Sequence, residues 1–124
     1  MTNLNSVLVE GNLTHDPESI TTASGSLLCK FTLATNRYYK VNQVPQEEVN
    51  FFQIEIWGDR ASACMNYLKK GREVRVIGRL KQERWEAGDG TKRERVVIVA
   101  EHVEFGRHGR KARETEDEAA SAEA

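Results

Sequence analysis

The sequence predicts an all-β domain with one helix, arranged as a five-stranded Greek-key barrel. Three observations predict it. Five segments of the 124-residue chain are rich in β-branched or aromatic residues and show some alternation. A single amphipathic helical stripe falls between the third and fourth of them. Residues 50–57, Asn-Phe-Phe-Gln-Ile-Glu-Ile-Trp, read as a strand with two different faces. Phe52, Ile54 and Ile56 form its core side. Phe51, Gln53, Glu55 and Trp57 form the other, and two large aromatics around a polar middle suit a surface better than an interior.

The elements follow in order. Residues 7–9, Val-Leu-Val, open the first strand, and Gly11-Asn12 and Asp16-Pro17 punctuate the connection after it. Ser24-Gly25 makes a turn into the second strand, residues 26–36. Residues 38–49 read as a polar loop holding Pro45, and residues 50–57 are the third strand. In the helix that follows, Asp59 is the expected N-cap. Ala61, Cys64, Met65 and Leu68 then recur at i, i+3, i+4 and i+7 as one buried stripe. Lys69 and Lys70 suit the negative end of the helix dipole, and Gly71 suits C′. Residues 73–85 and 95–103 are the last two strands. Ala87-Gly88-Asp89-Gly90-Thr91 forms the hairpin turn between them, with glycines free to take positive φ. Three strands, a helix and two strands is the order of an OB-fold, whose second and third strands and loops bind oligonucleotides or oligosaccharides.

Composition bounds the function. The length suits one domain, residues 1–105, followed by a tail, residues 106–124, that has no apolar periodicity and is expected to be disordered. A content of 39% hydrophobic and 30% charged residues suits a soluble globular protein. No apolar run approaches the roughly 20 residues that span a bilayer, and residues 1–5 do not resemble a secretory signal. No membrane association is expected. The formal charge of −1 hides an asymmetry, because residues 114–124 hold five acids and no Lys or Arg. The remaining 113 residues hold 18 basic and 14 acidic side chains, a net +4. A basic body with an acidic end points to a polyanionic ligand. Cys29 and Cys64 read as small buried hydrophobes. With no CxxC and no ligand spacing among His15, His102 and His108, neither a metal site nor any other cofactor is expected.

Two more aromatics stand where burial is not expected. Trp85 lies near the tip of the last hairpin, beside Arg84, and Tyr39 ends the second strand between Arg37 and Lys40. Planar rings interleaved with cations are what a single nucleic-acid strand requires, faces to stack bases and charges to follow phosphates. Among the basic residues, Arg75, Arg79 and Lys81 alternate onto the face opposite Val74, Val76 and Leu80, where they can line a groove. Arg60, Arg72, Lys92 and Arg93 complete the wider set of candidates.

From Asn5 to Val103 the chain also resembles the bacterial single-stranded DNA-binding protein family. Asn5 through Glu18 is similar to its opening motif and Phe31 through Arg37 to its second strand. Phe51 through Gly58, Leu68 through Arg72 and Gly78 through Leu80 continue in order. The resemblance implies an OB-fold, commonly a homotetramer, that coats single-stranded DNA in replication, recombination and repair in the bacterial cytoplasm. It implies that Tyr39, Phe51, Trp57 and Trp85 stack bases. Tyr39 and Phe51 stand where tryptophan is common, so affinity per platform is expected to be lower. Phe52 aligns with a position tied to subunit assembly. Family members end in an acidic tip with a hydrophobic anchor that recruits replication and repair proteins. The end of this chain is acidic but has no proline or large apolar residue, which weighs against recruitment by that route.

The DNA-binding residues expected are therefore Tyr39, Phe51, Trp57 and Trp85, with Arg37, Lys40, Arg75, Arg79, Lys81 and Arg84, and Phe52 is assigned to an oligomer interface. Two alternatives stay open: an accessory OB-fold dimer of a replication-restart complex, and a single-stranded RNA binder, since stacking does not distinguish sugars. An enzyme is not expected. No nucleophile has a placed histidine, and Gly88-Asp89-Gly90 lacks the strand–helix context of a phosphate loop.

Overall fold

A computed structural model describes residues 2–106; the expected tail, residues 106–124, lies outside the described residues except for Gly106. The elements are β1 (Val7–Leu13), β2 (Glu18–Thr21), β3 (Leu27–Val41), β4 (Val44–Trp57), α1 (Asp59–Tyr67), β5 (Glu73–Glu86) and β6 (Lys92–Phe105). They form one sheet in the order β1-β5-β6-β4-β3-β2, with a further pairing of β1 to β3. That pairing closes five strands into the expected barrel. Closure removes the exposed edges that an open sheet would present. β2 was not anticipated. It is a short strand antiparallel to β3 outside the ring, exposed along its length, so no hydrophobic pattern announces it.

β1 does two jobs. Val7 to Asn12 pair with β5, and Asn12 and Leu13 pair with β3. The crossing brings backbones close, and a Cβ on Gly11 would overlap the Ala34 carbonyl. Gly78 serves the same purpose opposite β6, beside the register shift at Ile77/Gly78, where a Cβ would overlap the Val99 carbonyl. A β-bulge at a barrel bend is the usual place for glycine. β4 and β6 meet in parallel through Ile54–Ile98 and Glu55–Val99, the one parallel contact of the ring.

The core is the inner wall plus the helix. Leu13, Cys29, Phe31, Leu33, Ile54, Ile56, Val74, Val76, Ile98 and Ala100 pack with Ala61, Cys64 and Leu68. Met65 lies partly buried against them, so the four apolar residues read as a stripe do face the core, Leu68 from just beyond the helix end. Burial pushes the Cys29 thiol up to about 11 and the Cys64 thiol up to about 12, as small apolar groups. Cys29 Sγ lies 3.5 Å from Met65 Sδ.

Three local expectations are corrected. The region read as a loop, residues 38–49, is the outer half of the β3–β4 hairpin. Its pairing runs unbroken from Leu28–Trp57 to Val41–Val44 around Asn42-Gln43, whose φ values are 50° and 66°. Those angles match a two-residue type I′ turn. This arm projects past the barrel and buries neither face, so its sequence shows no alternation. Pro45 faces Lys40, one pair beyond the hydrogen-bonded pair that closes the turn, where its missing N–H is not needed.

The other two corrections concern the helix ends. The N-cap is Gly58 at φ 77°, with no side-chain cap, and Asp59 is the first helical residue. Asp59 therefore acts through the helix dipole rather than by capping. At the other end the helix stops at Tyr67 because Leu68 is extended, sending its side chain into the core. Gly71 does have positive φ, 88°, but in the turn that follows, where its N–H donates to the Leu13 carbonyl at 2.8 Å.

Replacing glycine by alanine in a strand ordinarily stabilises it. Gly78→Ala should do the reverse, lowering stability by about 1–3 kcal/mol through overpacking. Gly88→Ala, which meets open space, should leave stability nearly unchanged. Paired denaturant titrations of the two variants read the difference.

Candidate nucleic-acid interface

The strand pairing defines a continuous outer face. Across β3 and β4 it carries the pairs Leu28–Trp57, Lys30–Glu55, Thr32–Gln53, Ala34–Phe51 and Tyr38–Glu47. Through Glu55–Val99 it continues onto β6, and from there onto β5 through Arg79–Val99, Lys81–Val97, Glu83–Arg95 and Trp85–Arg93. Phe51, Trp57 and Trp85 therefore share one face, although they come from two hairpins. Their exposures are 65%, 39% and 45%. Phe51 and Trp57, six residues apart on one strand, are separated by about 20 Å at ~3.4 Å per residue. Val97 and Val99 form a buried apolar floor on this face.

The other expected site residues divide. Arg79 and Lys81 lie exposed on the same face, and among the described residues neither has a carboxylate in ion-pair range. Lys40, near the hairpin tip, is exposed and shares the face of Tyr38. Tyr39 and Arg37 fall on the reverse face of the β3–β4 hairpin, with the Arg37 guanidinium 4.7 Å from the Tyr39 ring centre and 3.9 Å from a Glu48 oxygen. Phe52 is on that reverse face too, on a surface separate from Phe51 and partly exposed at 37%.

Arg84 points opposite Trp85 and is engaged by Gln82 at 2.6 Å and Glu94 at 3.8 Å. Arg75 shares the parity of Arg79 but is held by Glu10 at 2.8 Å and Glu104 at 3.5 Å. The hydrogen bond and charge of Glu10 raise its pKa further, so its charge is largely met within the protein. From the wider basic set, Arg72 is buried, donating to the Tyr67 carbonyl at 3.0 Å with its guanidinium over Phe105.

Sequence reasoning missed three members of the face. Tyr38, 73% exposed, lies on the side of Phe51 where Tyr39 does not. Lys30 and Arg95 add cations, Arg95 standing 5.3 Å from the Trp85 ring centre. The signal that could have found Tyr38 is the Asn42-Gln43 turn, since pairing counted outward from it places every side chain.

One expectation about the polar middle fails. Gln53 is exposed as expected, but Glu55 is 2% exposed. Its Oε2 lies 3.9 Å from Lys30 Nζ, and its Oε1 finds no donor. Burial first, and then the Glu83 carboxyl beside it, hold the Glu55 pKa above the ordinary range. Burial also works upward on Glu83, but hydrogen bonds from Arg95, at 2.9 Å, and with Glu55 outweigh it and leave Glu83 low.

Among the described residues no group of His, Cys, Asp and Glu is placed to hold a metal ion, and no helix is long and apolar enough to cross a membrane.

Residues 4–106 match the single-strand binding protein family. The chain is 42% identical over 105 residues to a single-stranded DNA-binding protein of Treponema pallidum, covering 85% of this chain and 59% of that protein. It is 40% identical over 103 residues to single-stranded DNA-binding protein 3 of Clostridium acetobutylicum, covering 82% of this chain and 70% of that one. The fold is shared with the structure of a Plasmodium falciparum SSB complex with ssDNA, at a TM-score of 0.77, 21% identity, and coverage of 86% and 97%. From the match along the barrel and the identity to these relatives, the chain belongs to the single-strand binding protein family.

Proposed function

We propose that this protein binds single-stranded DNA without sequence preference, as an oligomer, protecting unpaired strands in replication, recombination and repair. The observation that carries the reading is the placement of Phe51, Trp57 and Trp85 as exposed rings on one continuous face beside Arg79 and Lys81, cations in no ion pair among the described residues. Base stacking contributes about 1–3 kcal/mol per ring and accepts any base. Cations without internal partners can release the counterions of phosphates, whereas Arg75 is already neutralised by Glu10 and Glu104. Tyr39 and Arg37 enter this reading through a strand that wraps round the edge of the β3–β4 hairpin.

Phe52 sits on the reverse face, which supports a subunit contact there and leaves the DNA face open; a homotetramer is the proposed assembly. The protein would hold strands apart and transform no substrate, and its place would be the cytoplasm, at the nucleoid.

Titrating intrinsic Trp fluorescence with poly(dT), with the mass of the protein measured alongside, tests this reading. Stoichiometric quenching by an oligomer is expected; preference for duplex, or no quenching, overturns it. Trp57→Ala and Trp85→Ala should each weaken binding by about 1–3 kcal/mol, roughly 5- to 150-fold, while the far-ultraviolet circular dichroism stays that of the parent. Affinity should fall with salt at a slope of about −0.7 per phosphate neutralised. Arg79→Ala and Lys81→Ala should each reduce that slope by about 0.7, and Arg75→Gln should leave it unchanged.

A further inference from the structure

The DNA-facing wall contains an acid that the functional reading does not use. Glu55 lies between Phe51 and Trp57 on β4, at the base of a cleft of about 380 Å³ that runs from the β1–β2 connection to β6. His15 and Asp16 of the connection, Glu18 of β2, Lys30 of β3 and Arg95 of β6 line this cleft with Glu55. Lys81 and Glu83 face Glu55 from β5. The Glu55 side chain is almost completely buried, and Oε1 has no donor from any neighbour. Yet Glu83 stands within hydrogen-bonding reach, and a carboxylate has no hydrogen to give. Glu83 itself is half-buried, and two carboxyl groups set side by side satisfy each other only when a proton lies between them.

Arg95 decides which group carries that proton. Its Nε donates to Glu83 Oε1 at 2.9 Å, so Glu83 is held as the anion and Glu55 is the member of the pair that accepts a proton when one is added. Lys30, at 3.9 Å and itself partly exposed, is too distant to offset the loss of water around a Glu55 carboxylate.

We propose that Glu55 takes up a proton when single-stranded DNA binds across this face, so that affinity for the strand is linked to pH. The proposal rests on the functional reading above. Phosphates laid along Arg79, Lys81, Lys30 and Arg95 add negative potential over a site that is already short of donors. The protonated form removes one negative charge from beneath the strand and keeps its hydrogen bond to Glu83. By linkage, whatever makes the bound state hold the proton more tightly makes the protonated protein bind the strand more tightly. Affinity is therefore highest at low pH. It falls as pH rises through the transition of free Glu55, by up to about tenfold per pH unit for one proton, and levels off once the bound form also ionises. The two carboxyls titrate as a pair, so the linkage belongs to the pair while its proton resides on Glu55.

Glu55→Gln is the direct test, because its amide can donate to Glu83 as the protonated acid does. Binding of oligo(dT), which carries no base that titrates here, is followed by Trp fluorescence from about pH 5 to about pH 8, the range in which histidines also titrate. The parent should lose affinity several-fold across the range. The Glu55→Gln variant should bind at every pH about as the parent does at the acid end. His15→Gln, which removes the histidine on the cleft, should keep the parent's dependence. A Glu55→Gln variant that retains the parent's pH profile, or a His15→Gln variant that abolishes it, overturns the proposal.

Calorimetry of the unaltered protein with oligo(dT) in two buffers of different ionisation enthalpy gives a readout free of any variant. Net proton uptake is expected at some pH within that range, and binding with none anywhere in it overturns the proposal while leaving the functional reading intact. Absence of oligo(dT) binding at every pH would instead overturn the functional reading itself.

Discussion

The structure depends on β1 belonging to two strands at once. One short strand must leave β5 and reach β3 within seven residues, and it does so at Gly11, where any Cβ would strike the Ala34 backbone. Closure follows from that close approach. Once the ring is closed, an inside and an outside exist, and each strand's alternation acquires a meaning. Leu33, Ile54, Val74 and Ile98 point inward with no alternative side to occupy, and Phe51 and Trp57 are left on the outer wall. A register slip of one residue would exchange these sets, which the loss of buried apolar area forbids.

The same closure brings distant charges together. Joining β4 to β6 in parallel places Glu55 beside β6 and within reach of Lys81 and Glu83 on β5. The outer face thus holds two kinds of charge. Among the described residues Arg79 and Lys81 stand in no ion pair and remain available to a polyanion. Lys30, Arg95, Glu55 and Glu83 are mutually engaged and tie the two hairpins to each other. Arg75, two residues before Arg79 on the same strand, is neutralised because β1 supplies Glu10 directly opposite it. Neighbouring cations of equal sequence character thus differ in function through what the adjacent strand carries.

The two hairpin arms extend past the barrel on backbone pairing and exposed side-chain contacts such as Asn36–Glu47 and Gln82–Glu94. The outer parts of β3–β4 and β5–β6 bury little apolar surface, and type I′ geometry at Asn42-Gln43 and the Asp89–Thr91 hydrogen bond at the other tip set their registers. That architecture places Phe51 and Trp57 near the barrel and Tyr38 and Trp85 farther out along the arms.

Much of this was legible in the residues. Alternation around Phe51 and Trp57, the Ala61, Cys64 and Met65 stripe of α1, the inward cysteines and the glycine-rich tip of the last hairpin all depend on local periodicity or local turn chemistry, which a chain carries before it folds. What only the tertiary structure decided depends on neighbours distant in sequence. The β3–β4 arm looked like a loop because a strand exposed on both faces has no hydrophobic pattern. Tyr38 rather than Tyr39 joined the ring-bearing face because register is counted from a turn, and Asp59 lost its capping role when Gly58 took the turn before it. Burial of Glu55 and neutralisation of Arg75 were set by strands β6 and β1, brought alongside by closure. Period and turn residues are short-range properties and can be read along a chain; solvent exclusion and charge pairing are set by what packs against each side chain, and exist only once the barrel has closed.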